Sequence, residues 1–395
     1  MLLNHCRLIK ELSGGIETAD GALRLENGKI TEVMANAAPA DACAGEEVID
    51  CQGKTLLPGL MDTHTHIIGI VDYSSDLMKS PMKLFMKSAA AAQKCLDYGF
   101  TTLRDCGTPL RVSNFVRDAF ADGLMTGPRI ISSGCILSPT EIEEMDSIYE
   151  MYSWADGADA MKKAARKELA EHADYIKIMV SGSAFHKQGI PVQPIITAEE
   201  LSAAVEIADM KGTYVAAHAH GDGAIRLCVD KGVRTIEHAT FIGEETIEAA
   251  LGRKALYLVP TLAAMYQNPA KTPLEMMFLV DKLKWMLDIS IGCLTKAYEA
   301  GLKIGLATDS TVGMDQYEQG IEFKYRSELF GMSNIDILLQ ATKVNAEIVE
   351  MADCLGEIKA GYIADLILVD GNPDEDISVM YQKPDMVFLS GERVR

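Results

Sequence analysis

Basic residues are scarce in this sequence. Its 395 residues include 37 Lys and Arg against 57 Asp and Glu, which gives a formal net charge of −20. A nucleic-acid-binding protein needs clustered positive charge to neutralise phosphates, so this balance argues against a nucleic-acid partner. It also argues against a polybasic segment that would hold the chain on an anionic membrane.

Long apolar runs and closely paired cysteines are also missing. The sequence contains no run of about 18 uncharged apolar residues, so we expect no transmembrane helix and no membrane partner. Residues 1–10 are too short and too interrupted by charge to form the apolar part of a signal peptide. The nine cysteines are scattered without a CxxC pair, which indicates reduced thiols and a cytoplasmic location.

A repeated unit organises the chain from residue 57 onward, in which a short apolar strand precedes a helical stretch. Eight such strands over about 300 residues predict an α/β fold, a TIM-type (β/α)8 barrel. A doubly wound sheet is the alternative, but it predicts a Gly-rich phosphate loop after the first strand, where this sequence has DTHTH at 62–66. The predicted strands are 57–61, 101–104, 129–133, 175–180, 214–217, 235–237, 256–260 and 303–307. The predicted helices include 158–172, 198–211, 224–231 and 244–251.

The two chain ends differ from the middle. Residues 1–56 and 363–395 alternate apolar and polar side chains with period two, interrupted by turn signals such as Asn27–Gly28. We therefore expect both ends to pair into one small β-sandwich beside the barrel. The predicted domains are 1–56 plus 360–395 for the sandwich and 57–359 for the barrel.

Side chains that ligate metals fall at the ends of the predicted strands, where the active sites of such barrels lie. His64 and His66 form an HxH pair, and residues i and i+2 of a strand point to the same side, so both imidazoles can reach one ion. Five of the eight histidines lie at predicted strand ends, which argues against a chance pair on the surface. The whole set is His64, His66, Lys177, His218, His220, His238 and Asp309.

Two members of this set carry distinct chemistry. Lys177 lies between apolar neighbours in the fourth strand, where an unpaired ammonium is costly. It either pairs with a carboxylate or adds CO2 to form an anionic carbamate that bridges two metals. Asp309 either caps a helix or binds metal and takes a proton from metal-bound water as a general base.

The order and spacing of these motifs resemble the amidohydrolase superfamily, in its imidazolonepropionase-like and Xaa-Pro dipeptidase-like branch. The resemblance rests on PGLMDTHTH at 58–66, the Lys177 strand, VAAHAHG at 215–221, TIEH at 235–238, ATDS at 307–310 and LGEIKAGYIADL at 355–366. The segment 102–107, which contains Arg104, also resembles the family, and we interpret it as part of a buried ion pair.

The resemblance implies a distorted barrel with a binuclear centre. It implies that His64, His66 and Asp309 hold the buried metal and that His218 and His238 hold the more exposed one. Carboxylated Lys177 would bridge the two metals, and His220 would contact the substrate. A histidine-rich set with a carboxylate suits Zn²⁺ as the divalent ion.

The function implied is cleavage of the C–N amide bond of a small-molecule substrate, of dipeptide or N-acyl amino acid type, by a metal-bound hydroxide. A cyclic amide or imidazolone hydrolase or deaminase is an open alternative, as is a lactone or phosphoester hydrolase. An inactive protein that kept only the fold would be expected to lack some of the six metal ligands. All six are present in this sequence. The loops at 133–146 and 181–188 depart from the family pattern; there His186 and Lys187 are candidates for binding a substrate carboxylate. The sequence does not decide whether the chain forms a homo-oligomer.

Overall fold

The computed structural model describes residues 1–39, 45–68, 80–141, 150–184, 191–265, 277–310 and 320–395. Within these ranges no helix combines the length and the apolar character needed to cross a membrane. The strands are β1 Leu2–Leu8, β2 Thr18–Glu26, β3 Lys29–Met34, β4 Val48–Asp50, β5 Thr55–Pro58, β6 Leu60–Thr65, β7 Phe100–Asp105, β8 Arg129–Ser132, β9 Ile136–Ser138, β10 Tyr152–Trp154, β11 Ile176–Met179, β12 Val215–Ala219, β13 Thr235–His238, β14 Tyr257–Val259, β15 Leu366–Val369, β16 Met386–Leu389 and β17 Glu392–Arg393.

Most helices follow the parallel strands, as the repeated unit predicts. They are α1 Pro81–Leu96, α2 Val112–Ala121, α3 Ala158–Ala170, α4 Ala198–Lys211, α5 Asp222–Lys231, α6 Glu244–Leu251, α7 Met277–Glu299, α8 Ile321–Glu328, α9 Asn334–Leu339 and α10 Asn345–Ile348. A π-helical turn, Gln340–Val344, joins α9 to α10. Local chemistry sets the ends of α4. Thr197 and Glu200 form a reciprocal capping box at its start, and Gly212 closes it in the left-handed region at φ 70°.

Strands from both chain ends form one eight-stranded sheet, in the order β17-β16-β15-β5-β1-β2-β3 with β4 on β1. Its apolar face is a core of its own, with Leu3, Leu23 and Leu56 from one end against Leu366 and Phe388 from the other. The two ends therefore pair, as expected. The division into 1–56 plus 360–395 and 57–359 stays a prediction. The sheet itself includes residues up to 58, because β5 pairs antiparallel with β15.

Two parallel sheets make up the middle of the chain. One has the order β6-β7-β8, and the other has the order β10-β9-β11-β12-β13-β14. Seven of the eight predicted strands lie in these sheets. The first is shorter at its start than predicted, because Gly59 breaks the run and Leu57 belongs to β5. The helices and both sheets share one large apolar core.

The eighth predicted strand, 303–307, is wrong as a regular strand. Within the described residues this segment makes only isolated parallel bridges, Leu258 with Ile304 and Thr65 with Ser310. The Asn345 side chain occupies the place of ladder hydrogen bonds, since it accepts from Leu306 N at 3.1 Å and donates to Leu306 O at 2.8 Å. The segment still joins the β14 edge of one parallel sheet to the β6 edge of the other. On the opposite side, the described residues contain no ladder between β8 and β11.

Candidate active site

The predicted site residues converge at the carboxyl ends of the parallel strands. Because neighbouring parallel strands end at the same edge of a sheet, side chains at their ends meet there. The strands β6, β11, β12 and β13, together with the segment that follows Ala307, supply these side chains. All seven predicted residues are brought together: His64, His66, Lys177, His218, His220, His238 and Asp309.

His64, His66 and Asp309 form the first of two clusters. The Asp309 Oδ1 atom lies 3.6 Å from His64 Nε2 and 3.3 Å from His66 Nε2. The two imidazoles share one face of β6, as the alternation of side chains along a strand requires. One ligand atom from each of the three residues lies within 4.8 Å of the others, which is the spacing of a metal site. Asp309 does not cap a described helix; it faces the histidines, as one of the two interpretations predicts.

His218, His220 and His238 form the second cluster, with ring centroids 4.6 to 4.7 Å apart. His238 follows Glu237, and alternation alone would turn these two side chains to opposite faces of β13. His238 has φ 67°, in the left-handed region, and this local twist lets its ring join the cluster. Such backbone strain in a non-glycine residue is typical of functional sites. His238 Nε2 and His218 Nδ1 face each other at 3.0 Å.

Lys177 lies in β11 close to both clusters, which are joined by His64 and His238 with ring centroids 5.0 Å apart. Its side chain is 1% exposed, and its Nζ atom has no hydrogen-bond partner among the residues that the structure describes. A buried ammonium without a partner is strongly disfavoured. Within the described ranges, the Lys177 amine therefore lacks the hydrogen-bond partner that a plain buried lysine would need.

All five imidazoles are oriented by a contact of the ring nitrogen that faces away from their cluster, as His64, His66 and His238 show first. His64 Nδ1 lies 2.7 Å from Glu237 Oε2, and His66 Nδ1 lies 2.7 Å from the carbonyl oxygen of Gly107. His238 Nδ1 lies 2.7 Å from the hydroxyl of Thr261. Each contact leaves the Nε2 atom directed into the site. Outer contacts of this kind commonly fix the ring orientation of metal-binding histidines.

His218 and His220, at the end of β12, use different ring nitrogens for this contact. His218 uses its Nε2 atom for the outer contact, with the carbonyl oxygen of Gly182 at 3.1 Å, so that Nδ1 faces the site. His220 Nδ1 lies 2.7 Å from the hydroxyl of Thr240. The backbone N–H of His220 also donates to the Ser181 hydroxyl at 3.0 Å. Both rings therefore have fixed orientations before any ligand binds.

The sequence predicts a buried ion pair near the second predicted strand, 101–104, which lies in β7. It does not identify the partner of Arg104. That partner is Glu237, whose carboxylate accepts from Arg104 Nη2 at 2.7 and 2.9 Å. Both side chains are fully buried, and Arg104 also donates to the Thr235 hydroxyl at 3.0 Å. Since Glu237 also contacts His64, the pair supports a predicted ligand. One sequence signal could have identified this partner: Thr235 and Glu237 are polar residues at positions i and i+2 of a buried strand.

Burial alone would lower the pKa of His66, but the Asp309 carboxylate beside it raises that pKa on balance. Burial keeps the other four histidines of the site neutral. It lowers the pKa of His64 to about 4 and the pKa of His220 to about 3, and it holds the pKa values of His218 and His238 well below the ordinary value. Burial alone would raise the pKa of the Asp309 carboxyl, but His64 and His66 beside it lower that pKa on balance. Neutral imidazole and ionised carboxylate are the forms that bind metals.

These residues fit a pair of divalent ions. Two clusters of nitrogen and oxygen ligands lie side by side, and the Lys177 amine lies in the same buried region without a hydrogen-bond partner among the described side chains and backbone. Histidine with carboxylate is a ligand set typical of zinc. The candidates for binding a substrate carboxylate, His186 and Lys187, lie outside the described residues.

The chain is similar to known proteins over most of its length. The sequence is 29% identical to ochratoxinase from Aspergillus niger over 366 residues, which cover 84% of this chain and 73% of that protein. A solved structure of a Xaa-Pro dipeptidase with bound methionine superposes with a TM-score of 0.87 at 28% identity, covering 100% of this chain and 99% of the other. A prolidase complexed with N-methylphosphonate-L-proline gives a TM-score of 0.86 at 29% identity, with the same coverage. The sequence pattern of the amidohydrolase family matches residues 55–394. The chain therefore belongs to the amidohydrolase family and is a hydrolase that acts on carbon–nitrogen bonds.

Proposed function

We propose that this enzyme hydrolyses the amide bond of a small molecule of dipeptide or N-acyl amino acid type, with two divalent metal ions as cofactors. The observation that carries the proposal is the Lys177 amine, which is buried close to two clusters of metal-ligating side chains and has no hydrogen-bond partner in the part of the chain that the structure describes. The relatives named as a Xaa-Pro dipeptidase, a prolidase and an ochratoxinase support an amide of an amino acid over other hydrolysable bonds.

Six side chains would hold the ions, with Zn²⁺ favoured by the ligand types. His64, His66 and Asp309 belong to the buried site, and His218 and His238 belong to the second. Lys177, as a carbamate, would contribute one oxygen to each and would remove an unpaired buried ammonium. Ions bound there would polarise the substrate carbonyl and make water more acidic.

Asp309 and His220 would act on the reacting atoms. The Asp309 carboxylate, ionised at neutral pH, accepts a proton from the attacking water and delivers it to the leaving nitrogen. His220, neutral and held by Thr240, presents Nε2 to the substrate. This direction suits a hydrogen bond to the carbonyl oxygen as negative charge develops on it.

The fold of the family supports a finer interpretation of the architecture. We infer that the two parallel sheets and the segment 303–310 form one (β/α)8 barrel and that the strands of the chain ends form a β-sandwich beside it. The bridges at Ile304 and Ser310 support this inference, because they join the free edges of the two parallel sheets. The prolidase and dipeptidase structures, which align with the whole chain, support it independently.

The cysteines support the expected cytoplasmic location. All eight described cysteines are free thiols; Cys43 lies outside the described residues. Burial raises the pKa of the Cys106 thiol to about 12, and it raises that of Cys228 as well. Uncharged, buried thiols are chemically inert, and free cysteines in this number are typical of a reducing compartment.

His220→Asn is expected to lower kcat/KM about 10- to 100-fold without removing metal, since a hydrogen bond to developing charge contributes about 1.5–3 kcal/mol. The acidic limb of the pH–rate profile should not move. With its pKa lowered to about 3, His220 is neutral throughout the working pH range and protonates only below it. Steady-state kinetics over pH and metal analysis check both points.

His172→Asn is the matched control, because His172 is exposed and asparagine tolerates its left-handed backbone at φ 67°. Loss of one metal per chain in His220→Asn would instead make His220 a ligand of the three-histidine cluster.

A substrate panel tests the proposed function. The panel contains dipeptides including Xaa-Pro, N-acyl amino acids, imidazolones, lactones and phosphotriesters, each assayed with the zinc-loaded enzyme. We expect the highest kcat/KM among the dipeptides or the N-acyl amino acids. A preference for imidazolones would favour the cyclic amide hydrolase or deaminase. A preference for lactones or phosphotriesters would overturn amide hydrolysis as the function of this site.

A further inference from the structure

One buried carboxylate connects the two segments that carry the first ligand cluster. Asp62 lies two residues before His64 on β6 and is fully buried. Its Oδ1 atom accepts from the backbone N–H of His64 and from the backbone N–H of Thr308, both at 3.1 Å. Its Oδ2 atom accepts from the Thr308 hydroxyl at 2.5 Å. Asp62 thus ties the strand that bears His64 to the residue directly before Asp309.

The hydrogen bonds through Thr308 have a defined direction. The Thr308 hydroxyl accepts from the backbone N–H of Ser310 at 3.1 Å and donates to Asp62 Oδ2. The hydroxyl therefore holds the backbone on both sides of Asp309. Thr308 is 2% exposed, so water does not compete for these bonds.

The position of Asp309 needs such support, because the segment 303–310 makes only isolated bridges with the residues that the structure describes. Asp309 also adopts φ 53°, in the left-handed region, which is uncommon for residues other than glycine. The Asp309 backbone N–H donates to His64 O at 2.7 Å, which is a direct tie to β6. The His66 backbone N–H donates to Ser310 O at 2.8 Å, and the Asp62–Thr308 contacts add a further constraint on the backbone around Asp309.

We propose that Asp62, acting through the Thr308 hydroxyl, is a positioning residue that fixes the Asp309 carboxylate against His64 and His66. This inference rests on the proposed function, in which Asp309 moves the proton. Asp62 and Thr308 do not contact the reacting atoms. Their contribution is geometric, and misplacement of a reacting group by about 1 Å can cost roughly 10²-fold in rate.

Thr308→Val tests the proposal, because it keeps the shape of the side chain and removes only the hydroxyl. We expect kcat to fall about 10- to 100-fold, as for other residues that orient metal-site groups, with KM little changed. Thr308→Ser keeps the hydroxyl and is the matched control, so it should retain nearly the wild-type kcat. If the serine variant is as impaired as the valine variant, the hydroxyl is not the important group and the proposal is overturned.

A double-mutant cycle shows whether Thr308 acts through Asp309. In an Asp309→Asn background, Thr308→Val should lower the remaining rate far less than it does in the wild type, because the group that it positions is already disabled. An equal fold-loss in both backgrounds would show that Thr308 acts elsewhere and would overturn the proposal. Thermal unfolding of each variant separates these effects from a general loss of stability.

A second variant and a substrate-free measurement keep the proposal testable if Thr308→Val does not fold. Asp62→Asn puts an amide NH2 opposite either the Thr308 hydroxyl or the backbone N–H groups of His64 and Thr308, so an acceptor is lost in both orientations, and we expect it to lower kcat as Thr308→Val does. Zinc affinity, measured by competition with a chelator, should fall about 10- to 100-fold in the valine variant and not in the serine variant. This measurement needs no substrate, so failure of the proposed amide hydrolysis and failure of the positioning role are distinguishable. Wild-type affinity and wild-type kcat in both Asp62→Asn and Thr308→Val would overturn the inference.

Discussion

Replacing Lys177 by alanine is expected to abolish most of the hydrolytic activity and to weaken the binding of both metals. Lys177 is buried beside both ligand clusters, and its Nζ atom has no partner in the described residues. As a carbamate it would supply one oxygen to each ion, so alanine would remove a ligand from both at once. Metal analysis and steady-state kinetics of the purified variant measure the two effects together.

Chemical rescue makes the Lys177 experiment specific. A short carboxylic acid offers two oxygens like a carbamate, so adding one to Lys177→Ala should restore part of the lost rate. Lys163→Ala is the matched control, since Lys163 is exposed on α3 and should behave as wild type. A Lys177→Ala protein with wild-type metal content and wild-type rate would show that the bridge is assigned to the wrong residue.

Asp309→Asn is expected to lower kcat by about 10²–10⁴-fold, the range attributed to general acid–base catalysis. The amide keeps an oxygen that can ligate metal but cannot accept the proton, so metal content should fall much less than the rate. The acidic limb of the pH–rate profile should also change. The wild-type carboxylate has a pKa lowered by His64 and His66 and is ionised at neutral pH, whereas asparagine does not titrate.

An exposed carboxylate provides the comparison for Asp309. Asp288→Asn makes the same chemical change on the surface of α7 and should leave kcat, metal content and pH profile as in the wild type. If Asp309→Asn turned over the best substrate of the panel at nearly the wild-type rate, another group would have to handle the proton.

Some of the site could be predicted because short-range rules decide it. His64 and His66 share a face through the alternation of a strand, and parallel strands bring their carboxyl ends together whatever the loops do. The same alternation predicts the wrong face for one of the pair Glu237 and His238. The left-handed backbone conformation of His238 lets the side chains of both Glu237 and His238 reach the site. No sequence pattern predicts that conformation.

The eighth strand shows where periodicity is insufficient. The apolar run at 303–307 predicts a strand, but the residues that hold it come from distant parts of the chain. Asn345 contacts Leu306 from α10, and a Cβ atom added to Gly305 would lie 2.7 Å from the Asn345 Oδ1 atom. Because Gly305 has no side chain, the Asn345 side chain fits where the hydrogen bonds of a regular strand pair would otherwise form. Asp62 carried a sequence signal, because it lies at i−2 from His64 on the same face, but its partner Thr308 lies 246 residues away.

The central claim is that two metal ions, held by these six side chains, drive amide hydrolysis. Titration of the metal-free protein with Zn²⁺ tests it most directly, with bound metal and hydrolysis of the best panel substrate measured in the same samples. We expect that about two ions bind per chain, that the rate rises until the second is bound, and that a chelator reverses both. A protein that binds neither Zn²⁺ nor Mn²⁺ at any added concentration, or that hydrolyses the substrate equally fast without metal, would contradict it.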